Sequence, residues 1–442
     1  MKKLILQMLV RDRLLLLKKK IDLYSEYAEK DDEITKFQIE RFNSVWPIIC
    51  KNIPFYNSWK KENKLPNRIE KLTDLNYFPI LTKDIIQENR DIILDGIDKR
   101  NVIQTGGSTG QPTIFPTSND QKKLEYVNAY YGRSKFGIDP FDKIVLLWGH
   151  SHLFGAGIYG WAQEIKRKIK DYCITTERLN AYDLSHKSLE TYLDRIKKVQ
   201  PEVIIGYSSI LVALATLGSE MKINFFSKKL KGVVATAETL NENDRNRLSN
   251  FFKVPIISEY GMAETGVIAY SSFNCSQIET IWDSFILQEI NSGRLALTTL
   301  DLRKFPLIRY DTTDSVSDLT IHNSSIIKFR NVLGRENDHI DFLSDEGENI
   351  RLGGIYLIHL IKSYPGVISI QFKKSGEKKV KALISGTPEI NLDMIAMNVS
   401  RDISKQHPDF PKDKLLFELT EKPQTTLAGK SKFWASTDQY ND

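Results

Sequence analysis

The stretch TGGSTGQPT, Thr105 to Thr113, sets three glycines among small hydroxylated residues, between an apparent strand and a helical segment. Such a loop turns backbone N–H groups toward an anion and its hydroxyls add donors, so a nucleotide phosphate suits it. It is not a Walker loop, because Gln111 stands where a lysine must follow the last glycine. Taken alone, a loop of this composition is more often a plain connection, and its company decides the reading. Downstream stand ATAETL (Ala235 to Leu240), EYGMAET (Glu259 to Thr265), RYDTTD (Arg309 to Asp314), GRENDHI (Gly334 to Ile340) and AGKSKF (Ala428 to Phe433).

In this order and at these distances the segments resemble the adenylate-forming ligases, in the branch of phenylacetate-CoA ligase and the related capsular-polysaccharide biosynthesis proteins. NIPFYNSW and FPILTKDII near the N-terminus look like that branch too, so the resemblance spans nearly the whole chain. It implies a large α/β N-terminal domain over 1–337, with a helical lead-in over 1–65, that binds ATP and a carboxylic acid. A small mobile α+β domain over 338–442 would carry the catalytic lysine. The implied chemistry has two halves: a carboxylate attacks the α-phosphorus of ATP and releases pyrophosphate, then a nucleophile takes the acyl group from the adenylate and frees AMP.

The same resemblance assigns roles residue by residue. Thr105, Ser108, Thr109 and Gly110 fall at the phosphate loop, and Ala237, Glu238, Tyr260 and Gly261 at the nucleotide, with Tyr260 near adenine. Glu264 would hold Mg²⁺, whose charge offsets that of the phosphates. Ala263 stands where the family has threonine or serine, removing one hydroxyl. Asp314 would accept hydrogen bonds from both ribose hydroxyls through its two oxygens. Thr313 replaces a family glycine and, being β-branched, is expected to alter the local turn. Arg335 would reach ribose or phosphate, Asp338 marks the hinge, and Lys430 would bridge carboxylate and α-phosphate, with Lys432 as substitute. His150, His152 and Tyr207, with Trp148 and Phe154, are acyl-pocket candidates by position; backbone-satisfied histidines and ordinary aromatic packing compete for them.

ATP and Mg²⁺ are the implied cofactors. Gly353 and Gly354 would let an acceptor pass close to the backbone, although a helix-opening turn explains them equally. The segment DEGEN (Asp345 to Asn349) ahead of them resembles the capsule-associated members, which favours an amine acceptor and amide formation in surface-polysaccharide assembly. A coenzyme A thiol is the alternative. Cys275 has neither histidine nor paired cysteines nearby, so no zinc is expected. Ala263, Thr313 and the basic N-terminal helix support a reading of another class, a non-catalytic scaffold or membrane-surface protein with a degenerate site.

Elements at matching spacing must position these residues. KIVLLWG, EVIIGY and KGVVATAE read as strands alternating with helices, the mark of an α/β sheet. RLALTTL, PLIRYD and IIKFRNVLG read as a β-rich region, and the tail from HIDF to KLLFEL traces a β-α-β-β-α-β order. Lysine plus arginine exceed aspartate plus glutamate by 62 to 56 and the signs alternate along the chain, so nothing demands a nucleic acid. Three cysteines are too few for a disulfide framework at this length and fit a reducing cytoplasm. MKKLILQMLVRDRLLLLKKK is broken by Arg11, Asp12 and Arg13 before any apolar run reaches membrane-spanning length. It reads as an amphipathic helix, and Lys18 to Lys20 would suit anionic headgroups in a peripheral contact.

Overall fold

The computed structural model describes residues 10–98, 100–105, 113–148, 176–181, 186–223, 229–237, 240, 242–291, 293–335, 339–344, 349–353, 357, 360–361, 364, 367–376, 379–386, 390–420 and 434–435. The chain divides into two compact units, a larger one that runs to Leu333 save two short segments, and a smaller one that begins at Gly334.

The larger unit opens with helices α1 (Arg11–Glu26), α2 (Asp31–Asn52) and α3 (Pro54–Glu62), the last started by a proline whose missing N–H costs nothing at a first helical turn. α2 buries Phe42, Val45, Trp46 and Ile49 at helical spacing, which seats it on the main core. α1 buries Leu17 and Lys20; the Lys20 ammonium donates to both oxygens of Asp283 and to Ser284 Oγ. Of the three lysines proposed for lipid headgroups, one is therefore spent inside the protein, while Lys18 and Lys19 are exposed. No described helix is long and apolar enough to cross a membrane.

Two short helices, α4 (Lys83–Glu88) and α5 (Arg90–Leu94), lead to the hairpin of β1 (Val102–Gln104) and β2 (Ile114–Pro116). α6 (Asn119–Ser134) follows, capped by the Ser118 hydroxyl, which accepts from the Gln121 amide. Next come the strands of the central sheet: β3 (Ile144–Trp148), β4 (Thr176–Asn180), β5 (Val203–Tyr207), β6 (Gly232–Thr236) and β7 (Ile256–Met262), all parallel, with neighbours in the order β4, β3, β5, β6, β7. IVLLW, VIIGY and GVVAT are apolar runs because the faces of such a strand are covered. Helices α7 (His186–Val199), α8 (Ser208–Glu220) and α9 (Glu242–Phe252) make the crossovers.

At β7 the sheet changes character. β8 (Gly266–Ser271) pairs with β7 antiparallel, and β9 (Ile278–Thr280) extends the sheet from β8. The chain then builds a second, four-stranded sheet from β10 (Phe285–Asn291), β11 (Arg294–Thr299) and β12 (Tyr310–Ser317). β13 (Thr320–His322) and β14 (Ser325–Phe329) return to the first sheet, which has nine strands among the described residues, and β15 (Asn331–Arg335) joins the second. PLIRYD was expected as a strand throughout, yet β12 begins only at Tyr310. Arg309 breaks the extended run: it adopts φ +51°, with its amide on Thr298 Oγ1 and its guanidinium on the carbonyls of Asn76 and Phe78.

In the smaller unit β16 (His339–Leu343) and β17 (Asn349–Gly353) form an antiparallel hairpin. β18 (Val367–Ser375) and β19 (Lys379–Gly386) form another, and α10 (Leu392–Gln406) leads to β20 (Leu415–Leu419), which joins β19 in parallel. Sequence reading found every strand here but β17; Ile350 and Leu352 alternate inward there, joining a core of Phe342, Phe372, Ile384, Ile395, Val399 and Ile403.

Candidate active site

The carboxyl ends of the parallel strands gather several of the sequence-predicted residues. Trp148 closes β3 and Tyr207 closes the neighbouring β5, their rings 4.7 Å apart and tilted by 53°. β6 delivers Thr236 and then Ala237, which takes a positive φ of +65°. Tyr260 lies near the end of β7, and Glu264 sits in the turn from β7 to β8, where the sheet passes from parallel to antiparallel. Open α/β sheets place their ligands in the crevice outside the carboxyl ends of the strands where the strand order reverses, here between β3 and β5.

Two hydrogen bonds cross between β12 and the β7–β8 hairpin. The Tyr260 hydroxyl of β7 donates to Asp314 Oδ2 of β12 at 2.9 Å, and the Tyr310 hydroxyl of β12 donates to Glu264 Oε1 at 3.1 Å. Each tyrosine thus holds a carboxylate that belongs to the opposite element. All four residues are buried, so the bonds act where water competes little. Glu264 Oε2 has no hydrogen-bond partner among the described residues, which fits a site that offers one hard oxygen to Mg²⁺ while phosphate and water complete its shell. Tyr260 also meets the ring of Phe329 edge-on at 5.8 Å.

The turn before Asp314 departs from expectation. Thr313 was expected to change it because a β-branched residue disfavours positive φ; instead Thr313 adopts φ +62°. The Thr313 amide donates to Asp311 Oδ1 at 2.9 Å, its hydroxyl donates to the Thr312 carbonyl at 2.6 Å, and Asp311 is itself bound by Arg294 Nε at 2.9 Å. The surroundings hold a conformation that the side chain resists.

Thr105 stands at the neck of the glycine-rich segment. Its amide donates to the Thr113 carbonyl at 3.0 Å and its hydroxyl accepts from the Thr113 amide at 3.2 Å, so that hydroxyl ties the two ends together. Gly261 has a local explanation as well: a Cβ there would lie 2.5 Å from the Gly266 carbonyl oxygen, so the close approach of β8 requires glycine. Ser108, Thr109, Gly110, His150, His152, Phe154, Glu238, Asp338, Lys430 and Lys432 lie outside the described residues. Arg335 ends β15.

No family model matches the chain. Protein CapK of Staphylococcus aureus is 26% identical over 336 residues, 70% of this chain and 69% of that protein. Phenylacetate-coenzyme A ligase of Pseudomonas putida is 23% identical over 424 residues, 90% of this chain and 89% of that protein. A crystal structure of 2-hydroxyisobutyryl-CoA ligase in the postadenylation state, in complex with 2-HIB-AMP, matches the fold with a TM-score of 0.57 and 15% identity over 92% of this chain and 90% of that one. The chain is similar to these proteins over most of its length and shares the fold of that CoA ligase.

Within this fold, the sequence points to the two carboxylates and to Tyr260, but not to Tyr310 or to Arg303. Tyr310 lay inside the RYDTTD motif and was passed over in favour of Asp314. Arg303 is the larger omission, a guanidinium 1% exposed beneath the Glu264 turn. Its only signal was an arginine between the apolar runs RLALTTL and PLIRYD, which reads on its own as a surface turn. A second, partly buried pair joins Arg133 of α6 to Glu259 of β7, the residue before Tyr260, at 3.0 Å. Burial works against the Arg133 charge, but Glu259, Tyr270 and Tyr130 outweigh it and raise the arginine's pKa.

Proposed function

We propose that the protein is an ATP-dependent, AMP-forming ligase that activates a carboxylic acid as its acyl-adenylate and passes the acyl group to an amine, forming an amide in surface-polysaccharide assembly. The observation that carries the adenylation half is the crossed pair of bonds that fixes Glu264 and Asp314 together at the carboxyl edge of the sheet. Asp314, oriented by Tyr260, receives the ribose hydroxyls. Glu264, oriented by Tyr310, holds Mg²⁺, which offsets phosphate charge as pyrophosphate departs. Thr105 and Thr113 close the neck of the segment that takes the β- and γ-phosphates. Lys430 supplies the cation that favours the charged transition state. That Thr313 keeps the positive φ of the turn supports a working site over a degenerate one.

Exchange of labelled pyrophosphate into ATP, dependent on a carboxylic acid, tests this reading. Activity should appear with a member of a broad acid panel and vanish in Lys430→Ala, and silence across the panel would sink it. Coenzyme A as acceptor is the second reading, favoured by the span of the likeness to phenylacetate-coenzyme A ligase. Supplying the adenylated acid with CoA in one arm and amino sugars or amino acids in another separates the two: a thioester in the first arm displaces the amine.

A further inference from the structure

Arg303 follows β11 in the chain and is enclosed on every side. Its Nε donates to Asp301 Oδ1 at 2.6 Å, its Nη1 donates to the Glu264 carbonyl at 3.3 Å, and Nη1 and Nη2 both reach the Thr265 carbonyl at 3.4 Å. Glu125 of α6 stands 3.9 Å from Nη1, and the ring of Phe285 lies 5.4 Å from the guanidinium carbon. From α6, Gln121 Nε2 also donates to the Glu264 carbonyl, at 3.4 Å. The carbonyls so gripped belong to the turn that presents Glu264, and no donor of Arg303 touches the Glu264 carboxylate. A neutral side chain could fill the same volume. A buried charge held by two carboxylates is a demanding way to pack a turn, and only a planar fork of donors reaches a carboxylate and two neighbouring carbonyls together.

We propose that Arg303 is a positioning residue for Glu264: by fixing the Glu264–Thr265 backbone it sets where the Glu264 carboxylate points, and so tunes the binding of metal-bound nucleotide without touching it. The proposal rests on the reading of Glu264 as the Mg²⁺ ligand. Residues that orient a ligand in this way change metal affinity by about 10–100-fold when removed. Arg303→Ala should therefore weaken binding of MgATP, measured by calorimetry, by about tenfold or more, while binding of AMP in EDTA, which depends on Asp314 and Tyr260, keeps its wild-type affinity. Arg303→Lys, which keeps the charge but not the fork, should fall between. In Glu264→Gln, where the carboxylate is already gone, adding Arg303→Ala should weaken MgATP no further.

Unchanged MgATP affinity in both Arg303 variants overturns the proposal, as does an equal loss of AMP and MgATP, which marks a merely structural role. If the alanine variant does not fold, the lysine variant decides by the same criteria. Should the wild-type protein bind neither nucleotide, the parent reading fails by itself. Amide hydrogen exchange over Met262–Gly266 then judges the grip of Arg303 alone: faster exchange in the variant supports it and unchanged exchange ends it.

Discussion

Two buried cations of the larger unit, Lys20 and Arg303, do different work with similar means. Lys20 is a point charge. Its ammonium meets both oxygens of Asp283 and Ser284 Oγ, with the rings of Tyr24 and Tyr131 5.5 and 5.6 Å away, and the result is one helix pinned to one loop. Burial lowers its pKa, and Asp283 opposes that shift. Arg303 spreads its charge across Asp301, Glu125 and two carbonyls, and so couples α6, the strand exit after β11 and the Glu264 turn. A compact ammonium suits a seam, whereas a planar fork suits a place where several elements must keep a fixed geometry.

The sharpest way to break this comparison is to remove the simpler charge. Lys20→Ala leaves the Asp283 charge to the Tyr24 and Ser284 hydroxyls alone and should cost about 3–5 kcal/mol of stability in urea denaturation, whereas Lys20→Met combined with Asp283→Leu should be close to neutral. If the double variant is as damaged as the single one, the seam depends on ionic geometry after all. At the other pole, Asp314→Asn should lower pyrophosphate exchange by about 100-fold with little change in melting temperature, and Tyr260→Phe should lower it less by releasing the same carboxylate.

Smaller effects refine the picture. Thr313→Gly relieves a strained backbone and should stabilise by about 1 kcal/mol, visible as a raised midpoint in denaturation. If it destabilises instead, the Thr313 hydroxyl bond outweighs the strain. A third cluster, Glu279 between Lys135 at 2.7 Å and Lys328 at 3.3 Å, lies nearer the surface. Burial tends to raise the Glu279 pKa, but Lys135 and then Lys328 outweigh it and hold the carboxyl below its ordinary value of 4.5. A carboxylate with a depressed folded-state pKa contributes stability above its unfolded value and loses it as pH falls through the folded one. The stability gap between wild type and Glu279→Gln should therefore be full at neutral pH and close below 4.5, with a modest size set by partial exposure.

How much of this was legible beforehand follows from what pattern can encode. Apolar runs such as VIIGY announce a covered parallel strand by themselves. Glu264 and Asp314 were legible because they sit inside ordered motifs. Arg303 and Lys20 were not, since a charged residue in sequence looks the same whether water or Asp283 receives it; only the fold brings the partner, 263 residues away for Lys20. β17 was missed for a related reason: Gly353 signalled a turn more loudly than Ile350 and Leu352 signalled alternation. The Thr313 turn went the other way, because intrinsic preference was outvoted by Asp311 and Arg294.

The distance from Lys20 to Asp283 also bears on how the protein is born. A ribosome adding roughly 5–20 residues per second exposes α1 on the order of tens of seconds before the loop that receives it exists. Leu17 packs on Val127, Tyr130 and Tyr131 of α6, which emerges well before that loop, so it is the Lys20 ammonium that waits in water for Asp283. Its ionic tie can only be a late event, completed after the strands from β3 to β9 have emerged.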